Sequence, residues 1–303
     1  MDLTKIVECV PNFSEGRRED VIEEIVKPFR EADGVYLLDY EKDPNHNRLV
    51  VTLIGIPDRV KDAVFQATKI ATRLIDMEKH QGEHPRIGAT DVIPFIPIRG
   101  MTMDEAVALA HELGEKIAKE LGIPVYFYEE AALRPERKNL EVIRKGQYEG
   151  LKEEISKPER APDVGPPKMH PTAGATVVGA RGPLIAFNVN LGTGNIEVAK
   201  KIARFVRHSS GGLRYVKAIG VSLSDRGMVQ VSMNLTNYEK TAIYRVFELI
   251  KIEAERWGVP VVESEIVGLV PGASLFDSLS YYLKLKDFSP EKQVMELRLL
   301  EML

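Results

Sequence analysis

A single cysteine, Cys9, among 303 residues excludes an internal disulfide and any metal site built on several thiolates. Its setting, Ile6-Val-Glu-Cys-Val10, reads as a buried strand rather than a reactive thiol. No apolar run approaches the roughly 20 residues that a membrane-spanning helix requires. The N-terminus, Met1-Asp-Leu-Thr-Lys-Ile-Val7, lacks the apolar stretch of a secretory signal, so no membrane association and a cytoplasmic location are expected. Neither sign of charge dominates. With 41 Lys and Arg against 45 Asp and Glu the formal net charge is −4, which offers no global attraction to nucleic acid. What is present is ordinary globular material, 44% hydrophobic and 28% charged, enough for two modest domains or one large one.

Hydrophobic periodicity divides the chain into two halves of similar order. Residues 5–10 alternate as a strand, 18–32 as an amphipathic helix, and 35–40 and 48–56 as two further strands. Residues 57–77 repeat apolar positions three and four apart (Val60, Ala63, Val64, Ala67, Ile70), which is helical, and 92–98 read as a strand. Arg48 follows Tyr40 too closely for a crossover helix, so those two strands are expected to form an antiparallel hairpin rather than part of a doubly wound sheet. A helix over 103–121 and a strand over 123–128 are appended. The same order recurs as strand 183–189, helix 196–207, strands 215–221 and 228–235 joined by Ser224-Asp-Arg-Gly227, helix 238–257 and strand 260–269. The expected fold is therefore α+β, a duplicated ferredoxin-like βαββαβ arrangement with subdomains 1–178 and 179–303. The proline-rich stretch 157–174 suits neither a helix nor a central strand, and reads as a stiff linker at the seam, a frequent place for ligands.

Between the second helix and the strand at 92–98 runs Asp76-Met-Glu-Lys-His-Gln-Gly-Glu-His-Pro-Arg-Ile-Gly-Ala-Thr-Asp91. A plain helix-to-strand connection is short and polar. This one gathers His80, Glu83, His84, Arg86 and Asp91 on a backbone kept non-helical by Gly82, Pro85 and Gly88, an arrangement that holds a reactive side chain at the rim of a sheet. His80 and His84 have the spacing of a helical zinc pair, but the glycine and proline oppose a helix and the H-E-x-x-H order is missing, so no metal is expected. On the residues alone, a histidine such as His84 more commonly structures its loop, with catalysis as the alternative. The segment Asn12-Phe-Ser-Glu-Gly16 reads either as a helix N-cap at Ser14 or as a loop reaching the same strand edge. His46, His111 and His208 read as surface or packing residues.

Four segments resemble the formiminotransferases, in particular the glutamate formimidoyltransferases. They are Val7-Glu-Cys-Val-Pro-Asn-Phe-Ser-Glu-Gly16, Arg73-Leu-Ile-Asp-Met77 leading into Gly82-Glu-His-Pro-Arg-Ile-Gly88 and Asp91, Ile185-Ala-Phe-Asn-Val-Asn-Leu191, and Val267-Gly-Leu-Val-Pro271. The resemblance runs in order through nearly the whole chain. It implies a transferase of one-carbon and histidine metabolism that forms a homodimer and moves a formimino group between N-formimino-L-glutamate and N5 of tetrahydrofolate, the folate being a co-substrate. It also implies His84 as the catalytic acid and base. The folate-contacting stretch falls on Gly165, Pro166, Pro167, Lys168, Met169, His170, Pro171, Thr172, Ala173 and Gly174, and an acidic pair on Asp39 and Glu41.

The chemistry so implied suits these residues. Moving an amidine carbon between two amines transfers no electrons and needs no covalent enzyme intermediate. It does need one nitrogen to lose a proton and another to gain one, which a histidine of ordinary pKa can serve for about 10²–10⁴ in rate. Holding two substrates together supplies up to about 7–11 kcal/mol more. Asp39 or Glu41 could steady the amidinium or orient His84, and Arg48 and Arg86 are candidate receptors for substrate carboxylates. Asn12 and His80 are candidate pocket supports, and Lys168, His170 and Arg181 could attract the folate tail. Formyl transfer in the same pocket and non-catalytic folate binding are the rival readings.

Overall fold

In the computed structural model, which describes residues 4–223 and 226–300, the chain separates into one unit ending at Arg181 and another beginning at Gly182. The expected turn residues Ser224 and Asp225 lie outside the described range. The first unit opens with β1 (Ile6–Cys9) and β2 (Asn12–Phe13), two pieces of one strand interrupted at Val10-Pro11. Then follow α1 (Glu19–Glu31), β3 (Val35–Asp43), β4 (Arg48–Gly55), α2 (Pro57–Leu74) and β5 (Thr90–Arg99). After them come α3 (Met103–Leu121), β6 (Val125–Glu129), α4 (Leu140–Ile143), α5 (Gln147–Glu154) and β7 (Thr176–Ala180).

The expected hairpin is present. β3 pairs antiparallel with β4, and β4 and β5 flank the interrupted first strand, which is the split βαββαβ order. β5 then pairs in parallel with β7, and β7 with β6. The proline-rich stretch is therefore no linker between units. It folds within the first unit and delivers a strand, all five of whose residues are buried, between β5 and β6 of that unit's sheet.

One face of this sheet carries the core. α1 buries Val21, Ile22, Ile25, Val26 and Phe29 at helical spacing, α2 buries Val60, Ala63, Val64, Ala67 and Ala71, and the two helices pack side by side. Beneath them lie Val7, Cys9, Phe13, Leu49, Val51 and Leu53. Because strand side chains alternate, Arg48, Val50 and Thr52 turn to the other face. Their cross-strand partners, Asp43, Glu41 and Asp39 on β3 and Asn12 on β2, go with them. Leu37 and Asp39 would share a face in a regular strand. A bulge between them puts Leu37 opposite Leu53 on the core side and Asp39 opposite Thr52 on the other.

The second unit comprises β8 (Ile185–Leu191), α6 (Ile196–Val206), β9 (Val216–Leu223), β10 (Met228–Leu235), α7 (Ile243–Arg256), β11 (Val261–Val267) and α8 (Gly272–Leu283). Its antiparallel sheet has the order β11-β8-β10-β9, again that of a split βαββαβ unit. Ile185, Phe187, Val189 and Leu191 face a separate core completed by α6 and α7. The fold is the duplicated α+β arrangement. Among the described residues no helix is long and apolar enough to cross a membrane.

Candidate active site

Three connections of the first unit meet where β4 begins, and Asn47 ties them together. Its side chain accepts from the Gly16 amide at 2.9 Å and donates to the Gln81 carbonyl at 2.9 Å. Its own carbonyl accepts from His80 Nε2 at 3.0 Å, so His80 carries its hydrogen there. Asn47 sits at φ 49, a left-handed conformation that asparagine tolerates. The fit is close: a Cβ on Gly82 would stand 2.2 Å from the His46 carbonyl oxygen. Ser14 does not cap α1. Its hydroxyl donates to the Gly88 carbonyl at 2.7 Å, and it is Glu15 that accepts from the amides of Arg17 and Arg18.

His84 is held by Arg48, whose Nη1 lies 2.5 Å from its Nε2. A guanidinium can only donate, so Nε2 presents a lone pair and the hydrogen rests on Nδ1. That Nδ1 is buried, and no partner meets it with hydrogen-bond geometry. The His46 ring stands edge-on to His84 at 6.0 Å between centroids, so His46 belongs to the site rather than to the general surface. Arg144, at the C-terminus of α4, pairs with Asp91, whose other oxygen accepts from the Ile87 amide at 2.8 Å. Burial first, then the charges of Arg48, Arg144 and His46, push the His84 pKa down to about 2. The ring is therefore neutral in the resting protein, which corrects the expectation of an ordinary titration. Arg48 is itself depressed by burial and by Arg144, with Asp91, Asp43 and Glu41 opposing. His46, Arg48, His84 and Asp91 line a tight cleft with Asn47, His80 and Arg86.

Arg86 is placed differently from its expected role. Both terminal nitrogens bind Glu149, at 2.9 and 2.7 Å, and the remaining donors reach Gln147 and the ring and carbonyl of His80. All five N–H groups are thus occupied, making Arg86 a strut from the histidine segment to α5. Glu41, opposite Val50, stands two residues or about 7 Å along the strand from Arg48, and Asp39, opposite Thr52, about 13 Å. Asn12 shares that face, with its amide donating to the Val10 carbonyl at 2.9 Å.

The stretch 165–174 is stitched to both ends of the histidine segment. The Thr172 carbonyl accepts from the Met77 amide at 2.8 Å and the Ala173 carbonyl from the Ala89 amide at 2.8 Å, while Gly174 bridges Gly88. His170 Nδ1 accepts from the amides of Thr172 and Ala173, folding a tight turn. Met169 is buried in the core, whereas Gly165, Pro166, Pro167, Lys168 and Pro171 are exposed.

Sequence reasoning missed Asn47 and Arg144 and gave no role to Asp91. Asn47 has a local signal, the turn-forming run Asp43-Pro-Asn-His-Asn47. Arg144 has none.

Comparison with known proteins agrees with the geometry. The formiminotransferase domain, N-terminal subdomain, matches residues 6–181, and the formiminotransferase domain matches residues 186–302. A glutamate formimidoyltransferase of Streptococcus pyogenes serotype M1 is 53% identical over 98% of this chain and 100% of its own length. One of Thermoplasma acidophilum is 52% identical over 93% of this chain and 94% of its own length. The formimidoyltransferase-cyclodeaminase of Rattus norvegicus is 45% identical over 92% of this chain, which spans 53% of that protein. On matches that cover nearly its whole length, the chain belongs to the formiminotransferase domain family.

Proposed function

We propose that this chain transfers a formimino group between N-formimino-L-glutamate and N5 of tetrahydrofolate, with His84 moving the protons. The observation that carries the reading is a neutral imidazole whose Nε2 accepts from Arg48 at the wall of an arginine-lined cleft, in a family whose relatives bear that activity's name. N5 adds to the formimino carbon and forms a tetrahedral centre bearing three nitrogens. Its collapse breaks the bond to the glutamate nitrogen. Over the cycle N5 loses a proton and the glutamate nitrogen gains one. A single base that accepts the first and returns the second ends as it began, and neutral His84 is in the form required to start.

The remaining roles follow from charge and position. Arg48 suits a carboxylate of the donor. Glu41 and Asp39 lie on the sheet face that bears Arg48, where anionic groups would favour the amidinium. The stretch from Gly165 to Gly174 would meet tetrahydrofolate mainly through its backbone, with Lys168 near the glutamyl tail. The family resemblance further supports a homodimer working in the cytosol.

Incubation with formiminoglutamate and tetrahydrofolate, with the folate product followed by mass, tests the reading. The expected product is 5-formiminotetrahydrofolate. Transfer only from N-formylglutamate would move the assignment to formyl chemistry, and tight folate binding without turnover of either donor would sink the enzymatic reading.

A further inference from the structure

In the resting protein the lone pair that transfer requires is already occupied, because Arg48 Nη1 donates to Nε2 of His84. The contact that fixes the tautomer also masks the base. Around the ring and Arg48 stand Arg144 after α4, His46 in the hairpin turn, Asp91 on β5 and, on the Arg48 side, Asp43 on β3. Both carboxylates are engaged elsewhere. Asp91 holds Arg144 and the Ile87 amide, and Asp43 holds His46 at 2.8 Å and the amides of Asn45 and His46. Among the described residues no carboxylate comes within ion-pair distance of Arg48, and Arg144 Nε is buried without a hydrogen-bond partner. Both guanidiniums are partly buried, and the one carboxylate paired here, Asp91, meets only Arg144, an imbalance that a bound anion would correct.

We infer that Arg48 and Arg144 together receive the α-carboxylate of the formimino donor, and that filling this receptor draws Arg48 away from His84 and frees Nε2 for proton transfer. The inference rests on the proposed transfer reaction. The α-carboxylate is chosen because it shares its carbon with the departing nitrogen, so seating it at Arg48 brings that nitrogen to the adjacent imidazole. The γ-carboxylate lies farther along the side chain and cannot place the nitrogen there as directly. With the receptor filled, the proton leaving N5 passes to Nε2 as the new C–N bond forms. It then passes to the glutamate nitrogen as the old bond breaks, with no change of oxidation state. Arg144 is thus a positioning residue, acting on His84 through the anion that it shares with Arg48. Tetrahydrofolate alone leaves the base masked, so the acceptor cannot be deprotonated before the donor arrives.

The test follows the His84 ring by nitrogen NMR in the intact chain, free and saturated with stable donor mimics. In the free protein the ring is expected to stay neutral down to about pH 5, well below the ordinary histidine value. N-acetyl-L-glutamate and its γ-amide, N-acetyl-L-glutamine, should each move its protonation upward into the observable range. The α-amide, N-acetyl-L-isoglutamine, should not. Arg144→Met should abolish that response and raise the KM for formiminoglutamate at least about thirtyfold while leaving the KM for tetrahydrofolate unchanged. Arg144→Lys, which keeps the charge beside Asp91, should recover part of both and covers the case in which the methionine variant does not fold. An α-amide that acts like the acid, or a free ring that already titrates near its ordinary value, would overturn the inference. Turnover without any response of the ring removes this receptor but not the reaction. A ring that responds without turnover removes the reaction but not the receptor.

Discussion

The imidazole of His84 loses water on entering the cleft and meets cations there, so its charged form is penalised twice. Between pH 6.5 and about pH 2 the unfolded chain binds a proton that the folded chain refuses at this site. Stability is therefore fully retained above pH 6.5 and falls as the pH drops through that window. At about pH 4.5 the loss from this one group is about 3 kcal/mol. Burial lowers His80 and His170 as well, but they act alike in any variant at position 84 and cancel in a comparison. His84→Asn keeps an acceptor for Arg48 and removes the titration. Urea unfolding near neutrality and near pH 4.5 should show its acid-induced loss to be smaller than that of the parent by up to that amount, and equal losses would contradict a masked, neutral ring. The same variant cannot carry a proton, so its kcat should fall by about 10²–10⁴ while tetrahydrofolate still binds with unchanged Kd. A loss of folate binding alongside turnover would recast His84 as a structural residue.

At the scale of elements, the site depends on how closely the connection between α2 and β5 approaches the hairpin turn. Gly82 permits that approach. An added methyl would stand 2.2 Å from the His46 carbonyl oxygen and 2.9 Å from its carbon, both backbone atoms with little room to yield. Gly82→Ala should cost about 1–3 kcal/mol of stability, as overpacking does. It should also lift the segment so that Arg48 no longer reaches His84. Unfolding curves and kcat/KM measured together check this, and a variant with normal turnover would show that the approach is dispensable. The sequence already pointed to much of this level, since the Pro57–Leu74 helix shows in its apolar spacing, the β3–β4 hairpin in its short connection, and the titratable run in its own letters. β7 was hidden. Thr176-Val-Val-Gly-Ala180 is a short apolar run whose parallel partners on β5 and β6 lie far away in the chain, and periodicity does not report such pairing. The bulge that resets Asp39 was hidden for the same reason. Arg144 follows a four-residue helix with no motif, and only the folded chain brings it beside Asp91. The charge state of His84 is likewise a product of burial, which the composition of a loop does not encode.

For the whole molecule, the two hydrophobic clusters have no residue in common. The first ends at Ala180 and the second begins at Ile185. The expected boundary at 178/179 falls inside β7, and the units divide a little later because the sheet continues through that strand, with the Arg181 amide donating to the Phe95 carbonyl at 3.0 Å. A fragment of residues 1–181 therefore keeps a complete core, every strand of its sheet and all the groups around His84. It should unfold cooperatively and hold the His84 ring neutral without the second unit. A fragment of residues 1–156 stops before the proline-rich stretch. It loses β7 from between β5 and β6, exposes two unpaired strand edges, and strips Val177, Val178 and Ala180 from the core. It also loses the Thr172 and Ala173 carbonyls that fasten the histidine segment at Met77 and Ala89. Denaturant unfolding of the two fragments distinguishes the possibilities, with a sharp transition expected for the longer and a broad or absent one for the shorter. If the shorter fragment unfolds as cooperatively as the longer, β7 is an appendage and the boundary of the first unit lies before the prolines.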